Sequence, residues 1–204
     1  MQLDPFYPIV DSSAWVERLV PLGVQLLQLR IKDAAGEDVL RAEIAASRAI
    51  CAKHGCQLIV NDHWQLAIDE ACDFVHLGQE DLDGADVGAI RRAGIRLGVS
   101  THDGAELETA LAVAPDYIAL GPVFPTRSKT LKWAPQGLEK VTGWKKLVGN
   151  LPLVAIGGIT LERAGEVLRS GADSIAVISD VTRNRDPDQH TREWVEETRE
   201  WRAV

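Results

Sequence analysis

The stretch Leu153-Val154-Ala155-Ile156-Gly157-Gly158-Ile159-Thr160-Leu161-Glu162-Arg163-Ala164-Gly165-Glu166-Val167-Leu168-Arg169-Ser170-Gly171-Ala172-Asp173-Ser174-Ile175-Ala176-Val177-Ile178 decides the fold. A short apolar run, 153–156, stops at a glycine pair. An amphipathic segment of helical period follows over 161–170, and a second apolar run covers 174–178. Ser170-Gly171 ends the helix, because glycine adopts the left-handed C-cap conformation without strain. Strand, helix and strand in this order make a crossover unit, whose two strands lie parallel.

The same rhythm extends in both directions. Apolar runs at 7–10, 24–30, 57–60, 74–77, 96–99 and 117–120 bring the predicted strands to eight. Helical stretches at 12–20, 37–54, 64–70, 86–93, 105–113, 136–148 and 161–170 lie between them, and 187–201 closes the chain. Ala93-Gly94 and Ala114-Pro115 are further helix stops. Eight alternations without a long all-helical or all-strand block predict an α/β chain with parallel strands. The number eight favours a single (βα)8 TIM barrel, with an open doubly wound sheet as the alternative that periodicity allows. No linker, low-complexity segment or longer repeat interrupts residues 1–204, so they are read as one domain.

Composition narrows the function classes. With 46% hydrophobic and 25% charged residues among 204, the chain has material for a sizeable core and lacks a disorder signature. A formal net charge of -8 repels phosphate backbones and acidic lipid, which argues against nucleic acid or a membrane as partner. The start, Met1-Gln2-Leu3-Asp4-Pro5, has neither a basic nor an apolar leader region, and no run approaches the ~18 apolar residues of a membrane span. A cytoplasmic protein is expected, and self-association into a homo-oligomer is compatible with it. Cys51, Cys56 and Cys72 form an odd set without a C-x-x-C pair, which suits a reducing compartment and not a disulfide framework or structural zinc. The six tryptophans are scattered and read as packing residues.

In either architecture the ligand site lies outside the carboxyl ends of the strands. The second strand runs Leu27-Gln28-Leu29-Arg30-Ile31-Lys32-Asp33, and its period of two puts Gln28, Arg30 and Lys32 on the face opposite Leu27, Leu29 and Ile31. If the apolar face meets the helices, the two cations point at the barrel mouth, where an anion is their natural complement. Asn61 and Asp62 end the third strand, and His76-Leu77-Gly78-Gln79-Glu80-Asp81 carries a second carboxylate from the fourth. Hard oxygen ligands beside a cationic patch suggest Mg²⁺ on Asp62 and Asp81, with turn or helix capping as the alternative for each carboxylate alone.

The fifth strand leads into Ser100-Thr101-His102-Asp103-Gly104-Ala105-Glu106. Asp103 and Glu106 have capping-box spacing, which leaves Ser100 and His102 for other use. His102 reads either as a base or as a local hydrogen-bonding residue. After the sixth strand, Gly121-Pro122-Val123-Phe124-Pro125-Thr126-Arg127-Ser128-Lys129-Thr130 presents hydroxyls and two cations on a proline-stiffened loop, a chemistry suited to phosphate oxygens. Gly157-Gly158 after the seventh strand and Ile178-Ser179 after the eighth stand where such barrels commonly bind phosphate.

Taken in order, Gln28-Leu29-Arg30-Ile31-Lys32, Asn61-Asp62, the segment from His76 to Asp81, Gly98-Val99-Ser100, the segment from Gly121 to Lys129, Ile156-Gly157-Gly158-Ile159 and Ile178-Ser179 resemble the thiamine-phosphate synthase family. The resemblance implies the joining of 4-amino-2-methyl-5-(diphosphooxymethyl)pyrimidine to a thiazole phosphate or its carboxylated form. The products would be thiamine phosphate and pyrophosphate, made from small-molecule substrates with Mg²⁺ as cofactor. It further implies that Gln28, Arg30, Lys32, Asn61, Ser100 and Lys129 bind the pyrimidine diphosphate. Thr126, Ser128, Gly158, Ile178 and Ser179 would bind the thiazole phosphate, and Asp62 and Asp81 the metal. Leu29, Ile31 and Arg127 lie within these motifs and are counted with the substrate-binding set, and Arg30, Lys32, Ser100 and Lys129 with the catalytic one. Two positions depart from the family pattern: Ser128 where threonine is common, and Arg163 where asparagine is common. A thiazole tautomerase using His102 on the same scaffold, and a non-catalytic thiazole-phosphate binder, are the alternatives.

Overall fold

The computed structural model describes residues 2–126 and 133–202. Strands β1 (Phe6–Val10), β2 (Leu26–Leu29), β3 (Gln57–Asn61), β4 (Phe74–Leu77), β5 (Arg96–Thr101), β6 (Tyr117–Leu120), β7 (Leu153–Ile156) and β8 (Ser174–Val177) pair in chain order as a closed barrel. Closure is made by parallel pairing of β1 with β8 in the register Phe6↔Ile175, Tyr7↔Ala176 and Pro8↔Val177. That pairing removes the open-sheet alternative and establishes the (βα)8 barrel.

The connections between strands carry α1 (Ser13–Leu19), α2 (Glu37–His54), α3 (Trp64–Asp69), α4 (Gln79–Asp83), α5 (Val87–Arg92), α6 (Gly104–Ala112), α7 (Gly137–Val148) and α8 (Leu161–Arg169). The short α9 (Ser179–Thr182) and then α10 (Pro187–Glu197) follow β8. No helix of the described residues is long and apolar enough to cross a membrane.

Alternation along the strands sorts side chains into two cores. Leu27 and Leu29, Leu58 and Val60, Val75 and Leu77, and Leu97 and Val99 face outward and pack with helix residues such as Val16, Ile44, Ile90 and Val167. Tyr7, Leu26, Ile59, Phe74, Tyr117, Val154 and Ala176 fill the barrel, so its interior is packed and not a pore. Phe6 of β1 stacks on the fully buried Trp194 of α10, with ring centroids 5.1 Å apart and planes at 9°. This contact fixes the last helix, and truncating Trp194 to alanine is worth about 3–5 kcal/mol.

Element ends differ from expectation for local reasons. The second strand, expected over 24–30, is confined to Leu26–Leu29. Gly23 turns the chain before it with φ 104, and the Arg30 N–H bonds the Val10 carbonyl at 2.7 Å beyond its end. The fifth strand runs on to Thr101 because Ser100 and Thr101 pair with Ala119 and Leu120. The closing helix, expected over 187–201, stops at Glu197 and gives way to a 3-10 turn, Arg199–Trp201. The helices α4 and α9, five and four residues long, were not foreseen.

Candidate active site

A cavity of about 190 Å³ opens at the carboxyl ends of the strands. Gln28, Arg30, Asn61, Ser100, Thr126, Gly158, Ile178 and Ser179 all line it, so the barrel gathers residues from six strand ends around one space. Leu29 and Ile31 turn away from it. Leu29 is in the outer core and Ile31 packs against that core, which leaves those two only backbone contact with a ligand. Arg127, Ser128 and Lys129 lie outside the described residues.

Lys32, Asp62 and Asp81 meet beside the cavity. Lys32 Nζ is 2.5 Å from Asp62 Oδ2, and the Asp62 and Asp81 carboxyls are close enough to perturb each other. Asp62 follows β3 directly, with its N–H donated to the His76 carbonyl of β4 at 2.9 Å. Asp81 arrives differently from expectation: it sits in the first turn of α4 and not at a strand end. Gln79 holds that helix to β5 by donating Nε2–H to the Ser100 carbonyl at 2.7 Å. Burial raises the Asp62 carboxyl, but the Lys32 ammonium outweighs it and holds Asp62 below the usual carboxylate range. Burial, then the Asp62 charge, pushes Asp81 up. Two close carboxylates of which one retains its proton more readily form a pair that a cation would satisfy.

The inner wall is polar. Asn61 is 5% exposed and its Nδ2 has no hydrogen-bond partner among the described residues. An unpaired buried donor is worth about 1–3 kcal/mol, which an acceptor on a ligand returns. Ser100 Oγ lies 2.7 Å from His76 Nε2, and His76 Nδ1 lies 2.7 Å from the Tyr117 hydroxyl. That hydroxyl is 3.0 Å from the Tyr7 hydroxyl, which accepts from Gln28 Nε2 at 2.7 Å. Burial pushes His76 down to about 4, with Asp62 opposing and Arg30 assisting, and burial raises both tyrosines. Sequence reasoning missed Tyr7, His76 and Tyr117 as site residues. The available signal was a polar side chain at an inward position of an otherwise apolar strand, with His76 two residues after Phe74 and Tyr117 opening β6.

On the opposite side, the loops after β6 and β7 are laced together. Val123 and Phe124 donate their N–H groups to the carbonyls of Ile156 and Gly157, both at 2.9 Å. Gly158 has φ 64, and a Cβ there would lie 2.4 Å from the Pro125 carbonyl oxygen, so only glycine fits this approach without displacing the neighbouring loop. Arg163, the departure from the family pattern, supports the same junction: its guanidinium carbon lies 4.4 Å from the Phe124 ring centroid, and Nη1 donates to the Gly158 carbonyl at 2.9 Å.

His102 is not free, contrary to the expectation. Asp103 caps α6 by accepting from the Glu106 N–H at 3.0 Å, and Glu106 Oε2 takes both the N–H and Nδ1 of His102 at 2.7 Å. Its ring stacks on Trp133 at 5.4 Å. Glu106 thus holds His102 locally, as the hydrogen-bonding reading expects, while the residue still lines the cavity.

A closed (βα)8 barrel with a polar cavity at the carboxyl ends of its strands is the build of an enzyme for small molecules. Residues 6–181 match the family model described as thiamine monophosphate synthase. The chain is 66% identical over 204 residues to a thiamine-phosphate synthase of Rhizobium etli, with all of both chains covered. It is 52% identical over 180 residues to one from Enterobacter sp., covering 88% of this chain and 85% of the relative. A solved structure of thiamine phosphate pyrophosphorylase from Pyrococcus furiosus superimposes with a TM-score of 0.86 at 28% identity, covering 98% of both chains. The chain belongs to the thiamine monophosphate synthase family, and the fold and function that the sequence resemblance implied stand.

Proposed function

We propose that this cavity joins 4-amino-2-methyl-5-(diphosphooxymethyl)pyrimidine to a thiazole phosphate. The pyrimidine would lie against the wall of Gln28, Asn61 and Ser100, and the thiazole phosphate against Thr126, Gly158, Ile178 and Ser179. The carrying observation is the cavity itself, which unites one wall holding an unpaired Asn61 donor and the Arg30 cation with another built on the Gly157-Gly158 loop. The bond from the methylene carbon to the diphosphate oxygen breaks, pyrophosphate leaves with the electron pair, and the thiazole nitrogen bonds to that carbon. Arg30, Lys32 and Lys129 take up the charge developing on the leaving group, and the two walls hold carbon and nitrogen in reach.

Asp62 and Asp81 would hold Mg²⁺, which supplies neutralisation of diphosphate charge when bound. Their close pairing fits an ion that takes one or two carboxylates and completes its shell with water and phosphate oxygens. Among the described residues no group of three or more His, Cys, Asp or Glu could hold a metal, so water and phosphate oxygens would complete the shell. No covalent nucleophile enters, and the buried Cys51, Cys56 and Cys72 are left outside the chemistry. Action in the cytoplasm on small molecules, without nucleic acid or membrane, belongs to the same reading. The test is incubation with both substrates and Mg²⁺ and assay for thiamine phosphate and pyrophosphate. Folded protein that makes neither overturns the reading.

A further inference from the structure

Resting on the placement of the pyrimidine at the Ser100 wall, we infer that His76, backed by Tyr117 and Tyr7, is a positioning residue that commits the Ser100 hydroxyl to donate its proton into the cavity. Protons can be followed along one buried chain of hydrogen bonds. With its amide oriented so that Nε2 gives an N–H to the Tyr7 hydroxyl at 2.7 Å, Gln28 leaves the Tyr117 oxygen, 3.0 Å away, to take the Tyr7 proton. Tyr117, already an acceptor, gives its proton to His76 Nδ1 at 2.7 Å. A ring that accepts at Nδ1 carries its proton at Nε2, and this N–H faces Ser100 Oγ at 2.7 Å. Ser100 thus receives from within, and its own O–H is left for whatever occupies the cavity it lines.

Gln28, Tyr7, Tyr117 and His76 are 2%, 1%, 0% and 7% exposed, so bulk water has little access to the links between them, although all four border the cavity. Reversing one link alone strands a phenol proton or lone pair in the barrel interior, and reversing the whole chain requires Gln28 to turn its amide oxygen toward Tyr7. The geometry is held by packing as well. The His76 and Tyr117 rings stack at 5.5 Å and 16°, and a Cβ on Gly98 would come within 2.1 Å of the Tyr117 ring, so glycine there makes the room. A serine fixed as donor recognises an acceptor, such as a ring nitrogen of an aminopyrimidine. It disfavours an oxo-pyrimidine that presents a ring N–H at the same place.

The test uses the whole chain labelled with ¹⁵N-histidine at pH 7.5. Long-range ¹H–¹⁵N spectra are expected to show the signals that vanish in His76→Gln as the neutral Nε2–H tautomer, and the Nδ1–H tautomer would overturn the inference. Tyr117→Phe and Tyr7→Phe, both isosteric, should raise KM for the pyrimidine diphosphate roughly tenfold, the loss of about one hydrogen bond, and leave KM for the thiazole phosphate unchanged. In a Ser100→Ala background Tyr117→Phe should add nothing. An equal rise in both KM values, or the same loss in that background, reduces the tyrosines to packing and refutes the proposal. Nε2–H in a chain without synthase turnover would fail the substrate placement and uphold the polarity, whereas Nδ1–H in an active enzyme would fail the inference alone.

Discussion

Asp62 carries its carboxylate on a left-handed backbone, φ 64, a conformation that most side chains avoid and that Asp and Asn tolerate best. That choice matters for testing the metal assignment. Asp62→Ala would change both the charge and the backbone preference, whereas Asp62→Asn keeps the turn and removes the charge. We expect Asp62→Asn and Asp81→Asn each to lower turnover on the order of 10²-fold or more, as removal of one group that stabilises developing charge does. Steady-state pyrophosphate release at saturating Mg²⁺ measures it, and near-normal rates in both variants would sink the metal site. Cys51→Ala is the contrasting case. Cys51 is 1% exposed in the outer core, so its loss should reduce stability by about 1 kcal/mol and leave turnover intact.

Among the elements, the loop after β7 and the helix α10 behave differently under change. Gly158→Ala places a Cβ against the Pro125 carbonyl oxygen at 2.4 Å, and one of the two loops must move. KM for the thiazole phosphate should rise about tenfold or more while that for the pyrimidine diphosphate holds, because one hydrogen bond to phosphate is worth that much. Equal changes would place the phosphate elsewhere. Helix α10 is tied to the β8 end by His190, whose Nε2 is 2.7 Å from Asp180 Oδ2 and whose Nδ1 is 3.2 Å from Glu193 Oε2. Burial lowers this histidine, but its hydrogen bonds to Asp180 and Glu193 outweigh it, and its pKa lies above the ordinary 6.5. A raised folded pKa stabilises fully below the unfolded value and loses that contribution as pH rises through the folded value. His190→Gln should therefore destabilise by about 1 kcal/mol near pH 6 and by less at pH 9, read from urea midpoints. A deficit that grows with pH would reverse the sign. The apolar runs and helix stops that placed most of these elements were legible because each pattern is local. Helices α4 and α9 were not, since four or five residues are too few to show a period. The chain from Gln28 to Ser100 was hidden for another reason: its members lie on β1, β2, β4, β5 and β6, and only the barrel brings them together.

At the scale of the whole molecule, rim charges such as Arg30 and Asp62 could be read because a parallel sheet covered by helices has no solvated face on which to leave them. The same closure makes the cavity common property of the barrel: β1 and β8 join beside it, and its walls come from strands far apart in sequence. A ligand that binds only the closed form must then stabilise the entire fold by mass action. Pyrophosphate with Mg²⁺ at about 100 times its Kd should contribute about 2.7 kcal/mol, which for a chain of this size raises Tm by roughly 5–10 °C. Pyrophosphate without the metal should give clearly less, and Asp62→Asn should erase the difference between the two while keeping the metal-free shift. That pattern separates the two elements of the site: cationic residues that hold the anion unaided, and carboxylates that act only through the metal. A shift equal with and without Mg²⁺ in the unaltered chain would assign Asp62 and Asp81 to the Lys32 ion pair and to capping instead, and the diphosphate would then rest on Arg30 and its neighbours alone.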